Sequence, residues 1–125
     1  MAVTHPTATR TGIADYVVDQ LDLNTPPAKL IMQTAASATV ATLTFANPAF
    51  GAAASGVATA NAIVADSSAV GGTISKAELR QGGSTAIVLC SVTATGGGGD
   101  IQLNSVVISA GQQVSMTSMT YAAPP

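Results

Sequence analysis

Thr85-Ala86-Ile87-Val88-Leu89-Cys90-Ser91-Val92-Thr93-Ala94-Thr95 is the longest β-branched and apolar run of the chain. It is followed by Gly96-Gly97-Gly98-Gly99-Asp100 and then by the alternating Ile101-Gln102-Leu103-Asn104. A run of this length, bounded by glycine turns and close to continuously apolar, predicts a central β-strand, and the strict alternation after the glycines predicts a second strand. The pattern repeats on both sides. Lys29-Leu30-Ile31-Met32-Gln33 and Thr39-Val40-Ala41-Thr42-Leu43-Thr44-Phe45 read as strands, the second with Ala41, Leu43 and Phe45 on one face and threonines on the other. Asn47-Pro48 ends it, and Phe50–Ala60 reads as a loop leading into a strand near Ala60–Ala65. In Ser75–Arg80, Ala77 and Leu79 face inward while Lys76, Glu78 and Arg80 face solvent; Gln81-Gly82-Gly83-Ser84 is a turn. Phase breaks at Val106-Val107-Ile108 and between Val114-Ser115-Met116 and Met119 and Tyr121 predict bulges. The fold class expected is mainly all-β, an antiparallel β-sandwich or jelly roll, with Leu43, Phe45, Leu79, Val88, Leu103 and Val114 in its core.

One helix precedes the β region, over 11–22. Ile13, Val17 and Leu21 recur at four-residue spacing, Thr11 is the expected N-cap, and Asn24-Thr25-Pro26-Pro27 stops it. The domain plan is an arm over 1–10 and a single domain over 11–125, with the sandwich over 29–121 and a short C-terminal tail.

Composition narrows the function classes. The chain has 125 residues, of which 47% are hydrophobic, 8% charged and 3% aromatic, with one His, one Cys and no Trp. Acid–base and nucleophilic catalysis need titratable groups brought together, so no enzyme, cofactor or metal is expected. Four Lys and Arg against six Asp and Glu leave a net charge of -2, too few cations for nucleic-acid binding. No apolar run approaches the ~20 residues of a membrane span. Met1–Pro6 lacks the cationic start and apolar segment of a secretory leader, so the protein is expected to be made and kept inside a cell until assembly. Cys90, inside an apolar strand, is expected to be a buried, inert thiol. Gly96–Gly99 is expected to be a turn and not a phosphate cradle, because a strand and not a helix follows it. A surface so poor in charge suits a protein covered by partners.

Several motifs together carry a resemblance. Ile13-Ala14-Asp15-Tyr16-Val17-Val18-Asp19 is followed by Lys29-Leu30, by Ala41–Gly51, by Gly56–Asn61 and, most distinctively, by Ser91–Asn104. In these the chain resembles small tailed-bacteriophage virion proteins of the capsid decoration or cement kind. The resemblance implies a structural protein on the capsid exterior, assembled in the host cytoplasm. It also implies attachment to the major capsid protein and no catalysis. A homo-oligomer, dimer or trimer, is expected, held mainly by apolar and neutral contacts. The alternative is a tail- or fibre-associated host-binding module, disfavoured by the shortage of aromatics that meet sugars.

The candidate contact residues lie at the N-terminus: His5, Arg10, Asp15, Asp19 and Asp22. The three aspartates share one helix face, and Asp19 and Asp22 sit near the helix C-terminus, where the macrodipole disfavours anions. A basic surface of the capsid or of a sister subunit would compensate them. On this reading Ile13, Val17 and Leu21 pack on the sandwich, and changing Asp19 and Asp22 to Asn leaves folding stability nearly unchanged.

Overall fold

Alternation along Lys29–Gln33 and Thr39–Phe45 places Leu30 and Met32 of one segment beside Leu43 and Ala41 of the other, and the two segments pair antiparallel in this register. The computed structural model describes residues 3–24, 27–82 and 85–125. It is all-β with one helix: α1 (Thr7–Gln20), β1 (Lys29–Gln33), β2 (Thr39–Phe45), β3 (Val57–Thr59), β4 (Ile63–Val64), β5 (Gly72–Thr73), β6 (Lys76–Arg80), β7 (Ala86–Ala94), β8 (Ile101–Leu103), β9 (Val107–Ile108) and β10 (Thr120–Ala122). One six-stranded sheet has the order β4-β2-β1-β6-β7-β8; β3 with β10 and β5 with β9 form two short ladders. Gly83 and Ser84 of the expected turn after β6, Thr25 and Pro26 of the expected helix stop, and Met1 and Ala2 of the arm lie outside the described residues.

Side chains line up in rows across the sheet. Leu43, Leu30, Leu79 and Val88 form one row, and Ala41, Met32, Ala77 and Cys90 the next. Their buried members belong to a contiguous core that also holds Val18 and Leu21 of the helix, Ala58, Ile108 and Val114, and Val88 and Cys90 pack against it. On the opposite face Thr42, Ile31, Glu78 and Leu89 form a row. Phe50 reaches back to Phe45, ring centroids 5.6 Å apart, and anchors the loop after β2.

Burial falls off along the first row. Leu43, Leu30 and Leu79 are buried, as are Phe45 and Val114, but Val88 is only half-buried, and so is Leu103 of β8. The expected core is corrected at these two residues. An open groove of ≈ 1010 Å³ separates β7 and β8 from the segment after Gln112, so neither side chain is closed in.

Among the described residues every ladder is antiparallel except one. β8 runs parallel to β7, with Val92 opposite Ile101 and Ala94 opposite Leu103. The expected antiparallel arrangement is corrected here, because the glycine run does not make a hairpin. It doubles the chain back within Thr95–Asp100, far shorter than the dozen or so residues that usually join parallel neighbours. Gly96 and Gly98 hold φ of 90° and 80°, in the left-handed region, and a Cβ on Gly97 would lie 2.7 Å from Thr93 Cβ. Side-chain bonds close the reversal: Gly99 N–H donates to Thr93 Oγ1 (3.0 Å) and Gly96 N–H to Gln102 Oε1 (3.1 Å).

The gradient of burial sets the expected energetics. Leu30→Ala should cost about 3 kcal/mol, in the range for fully buried leucines, and Val88→Ala about 1 kcal/mol, since the groove already exposes it. Urea unfolding of the two variants against the parent chain checks the difference.

Candidate docking surface

The N-terminal helix is built differently from its sequence pattern. It starts at Thr7, within the expected arm, and Arg10 N–H closes the first turn onto Pro6 O at 3.0 Å. Thr7 and Thr9 are weak helix formers, so tertiary contacts supply the stability that propensity does not. Thr11, the expected N-cap, lies inside the helix; its hydroxyl donates to Thr7 O (3.0 Å) and accepts Gly56 N–H (3.0 Å). The helix ends at Gln20, and the amides of Leu21, Asp22 and Leu23 tighten into i→i−3 bonds.

The buried face is Ala14, Val18 and Leu21; Ile13 and Val17 are only half-buried, which corrects the expected packing stripe. Small Ala14 lets the helix approach β3 and β10, against which it packs. Gln81, itself buried, locks the other end: its Nε2 donates to Gln20 O (2.7 Å) while its Oε1 accepts from Asn24 Nδ2 (2.9 Å). Sequence reasoning missed Gln81, which looked like an ordinary turn residue.

This rotation separates the three aspartates. Asp15 Oδ1 accepts Ala53 N–H at 2.7 Å and Asp22 Oδ1 accepts Ala49 N–H at 2.9 Å, so both pin the loop after β2 to the helix. The unfavourable place of Asp22 beside the helix C-terminus is compensated from within, not by a basic partner. Asp19 alone is exposed, with no side-chain partner among the described residues. His5 and Arg10 are drawn to the C-terminal segment and not to a free arm. His5 Nδ1 lies 3.0 Å from the Pro125 main-chain oxygen, and Arg10 Nη2 donates to Ala123 O at 3.3 Å while its stem covers Gly56. Gly56 has φ 79°, and a Cβ there would meet Arg10 Cβ at 3.1 Å.

The side of the helix turned away from the core therefore runs from the small exposed residues Ala8 and Gly12 to Tyr16, 67% exposed, and Asp19, and is continued past the helix end by Leu23, 62% exposed. An exposed aromatic and an exposed leucine thus flank one carboxylate along the sequence.

Cys90 is half-buried on β7 at the groove, and burial first, then the charge of Asp100, pushes its thiol up from the ordinary value. The thiol is therefore protonated at neutral pH and a poor nucleophile. Asp100 is itself engaged, accepting from both the amide (2.9 Å) and the hydroxyl (3.2 Å) of Ser91. Among the described residues, no group of three or more His, Cys, Asp or Glu is placed to hold a metal ion, and no helix is long and apolar enough to cross a membrane. Comparison with protein-family models, with curated proteins and with solved structures finds no match to the chain.

Two outcomes follow from this geometry. Asp22→Ala and Asp15→Ala should each lower stability by about 1–2 kcal/mol, the cost of losing a charged acceptor for a loop amide, whereas Asp19→Ala should change it by less than about 0.5 kcal/mol. Thermal or urea unfolding separates them, and reverses the expectation that Asp22 is dispensable for folding. Because the folded chain holds the Cys90 proton to higher pH than the unfolded chain does, stability should fall as pH rises through and above the usual thiol range. Cys90→Ala should remove that part of the slope in a pH series of unfolding curves.

Proposed function

We propose that this chain is a structural virion protein that decorates and cements a phage capsid from the outside by binding the major capsid protein. The resemblance of its motifs to virion proteins motivates the reading. The observation that carries it is the outward side of the helix and its C-terminal turn, where Tyr16, Asp19 and Leu23 stay exposed while Ala14, Val18 and Leu21 are buried and Asp15 and Asp22 are tied to the loop after β2. The β-domain is then body and spacer. Of the five residues expected at the contact, Asp19 remains a contact residue; Asp15, Asp22, Arg10 and His5 act by holding the helix and the C-terminal segment in place.

Cementing needs no chemistry. A protein that binds the assembled shell and not its separated subunits shifts the equilibrium toward the shell, and many identical weak contacts add up. With Asp19 the single free carboxylate among these contact residues, attachment rests mainly on apolar and neutral contacts, which salt screens little.

Cryo-electron microscopy of the particle that carries the protein tests the reading. Density on the capsid exterior is expected, with occupancy lost in the combined variant Tyr16→Ala, Asp19→Asn, Leu23→Ala and kept by the parent chain in about 0.5 M salt. Density confined to the tail would replace this reading with a host-binding role; full occupancy of the variant would move the contact off the helix.

A further inference from the structure

The chain has four asparagines, and the fold holds them differently. An asparagine is chemically labile where the main-chain nitrogen of the next residue can reach its side-chain carbonyl carbon. That approach needs a side chain that is not engaged, a local backbone free to rotate and a small residue next in the chain. Asn47 is followed by Pro48, whose nitrogen bears no hydrogen to lose. Asn24 Nδ2 donates to Gln81 Oε1 (2.9 Å). Asn61 is tied twice, its Nδ2 donating to Pro48 O (3.0 Å) and its N–H to Ala49 O (2.9 Å).

Asn104 differs on each count. It is exposed at the bend just after β8, on the rim of the groove, and the small residue after it, Ser105, is exposed as well. Among the described residues neither the Asn104 side-chain amide nor the Ser105 N–H has a hydrogen-bond partner. The chain is fastened on either side instead. Thr95 N–H donates to Leu103 O (2.9 Å), Ile74 N–H donates to Val106 O (2.8 Å), and the Ser105 hydroxyl accepts Val107 N–H (3.2 Å). These bonds hold Leu103 and Val106 and leave the link from Asn104 to Ser105 free to turn.

We propose that Asn104 is a site of spontaneous covalent modification, at which the folded protein converts asparagine to a mixture of aspartate and isoaspartate. The Ser105 main-chain nitrogen gives up its proton to hydroxide and bonds to Asn104 Cγ. The bond from Cγ to Nδ2 breaks, and the expelled nitrogen takes a proton from water and leaves as ammonia, which restores the hydroxide. The product is a five-membered cyclic imide. Water then opens it at either carbonyl: cleavage of the new bond at Cγ gives aspartate, and cleavage at the main-chain carbonyl gives isoaspartate, with the backbone rerouted through the side chain. Water is the one co-reactant. Either product places a new carboxylate on a groove whose lining otherwise carries charge at Asp100 alone, in a chain that is already net negative. Isoaspartate also lengthens the connection between β8 and β9, and so strains the bond from Ile74 to Val106.

Ageing the full chain in mildly alkaline buffer tests this, with peptide mapping by mass spectrometry and enzymatic methylation of isoaspartate as the readouts. The peptide that contains Asn104 should gain the mass of OH in place of NH2. It should do so at close to the rate of a free peptide spanning Gln102–Ile108, and faster in proportion to hydroxide. Asn24 and Asn61 should stay intact until urea unfolds the chain. Ser105→Val, which sets a branched Cβ beside the attacking nitrogen, should slow the reaction about tenfold, and Asn104→Gln, which must close a larger ring, should stop it over the same period. Conversion of Asn104 an order of magnitude slower in the folded chain than in the free peptide would overturn the proposal, as would isoaspartate that forms first at Asn24 or Asn61.

Discussion

Aspartate carboxylates bound to main-chain amides hold this fold where regular ladders stop. Asp15 holds Ala53, Asp22 holds Ala49, Asp66 holds Thr42 and Ser68, and Asp100 holds Ser91. Four of the six acidic residues are used in this way, so charge that looks like a surface feature in the sequence is structural in the molecule. Each pin answers a specific need. A chain with long stretches of Ala, Gly and Ser has loops whose amides find no strand partner, and an amide left without an acceptor on folding costs more than a typical hydrogen bond gains. Two pins fasten the loop after β2 to the helix. The other two cap outward amides of β2 and β7 and blunt the sheet where another strand could add.

The rest of the architecture follows from how that sheet is closed. At its centre β1 is covered on both sides by neighbours and its leucine and methionine are fully buried. Toward β7 the cover thins, because the glycine reversal swings β8 to a parallel position beyond the end of β6 and leaves the groove open. The same reversal therefore explains the half-buried Val88 and Cys90 and the raised thiol. At the other end the helix, β3 and β10 bring the two ends of the chain together through Arg10, Gly56 and Ala123.

Much of the sheet was legible in the sequence. The β1 and β2 segments coincide with their expected bounds, and β6, β7 and β8 differ from theirs by a residue at most at each end, because period-two alternation between Gly, Asn and Pro is a local signal. The parallel β8 was not legible, since a glycine run before an alternating strand reads the same for a hairpin and for a reversal that tucks under its own strand. The helix shows the same limit. Its apolar residues are spread around the cylinder, so spacing alone favoured Ile13 and Val17. The buried face was set by close approach at Ala14 and by the bonds of Thr11, Asp15 and Asp22, none visible without the loop they meet. Of the contact residues expected from sequence, Asp19 keeps a free side chain on the surface, while Tyr16 and Leu23 went unnoticed because they broke no pattern.

The helix can present a docking face because its flanks are fastened: Tyr16, Asp19 and Leu23 offer a defined shape only if the helix does not rotate on the sheet. That fastening is the central claim, and amide hydrogen exchange measured residue by residue in NMR tests it most directly. Thr42, Ala49, Ala53 and Ser91 should be protected to a degree comparable with β1 and β2 amides despite having side-chain acceptors alone, and Asp22→Ala should release Ala49 while sparing Thr42 and Ser91. Exchange of these four amides at the rate of an unstructured chain, in the parent protein, would contradict the account.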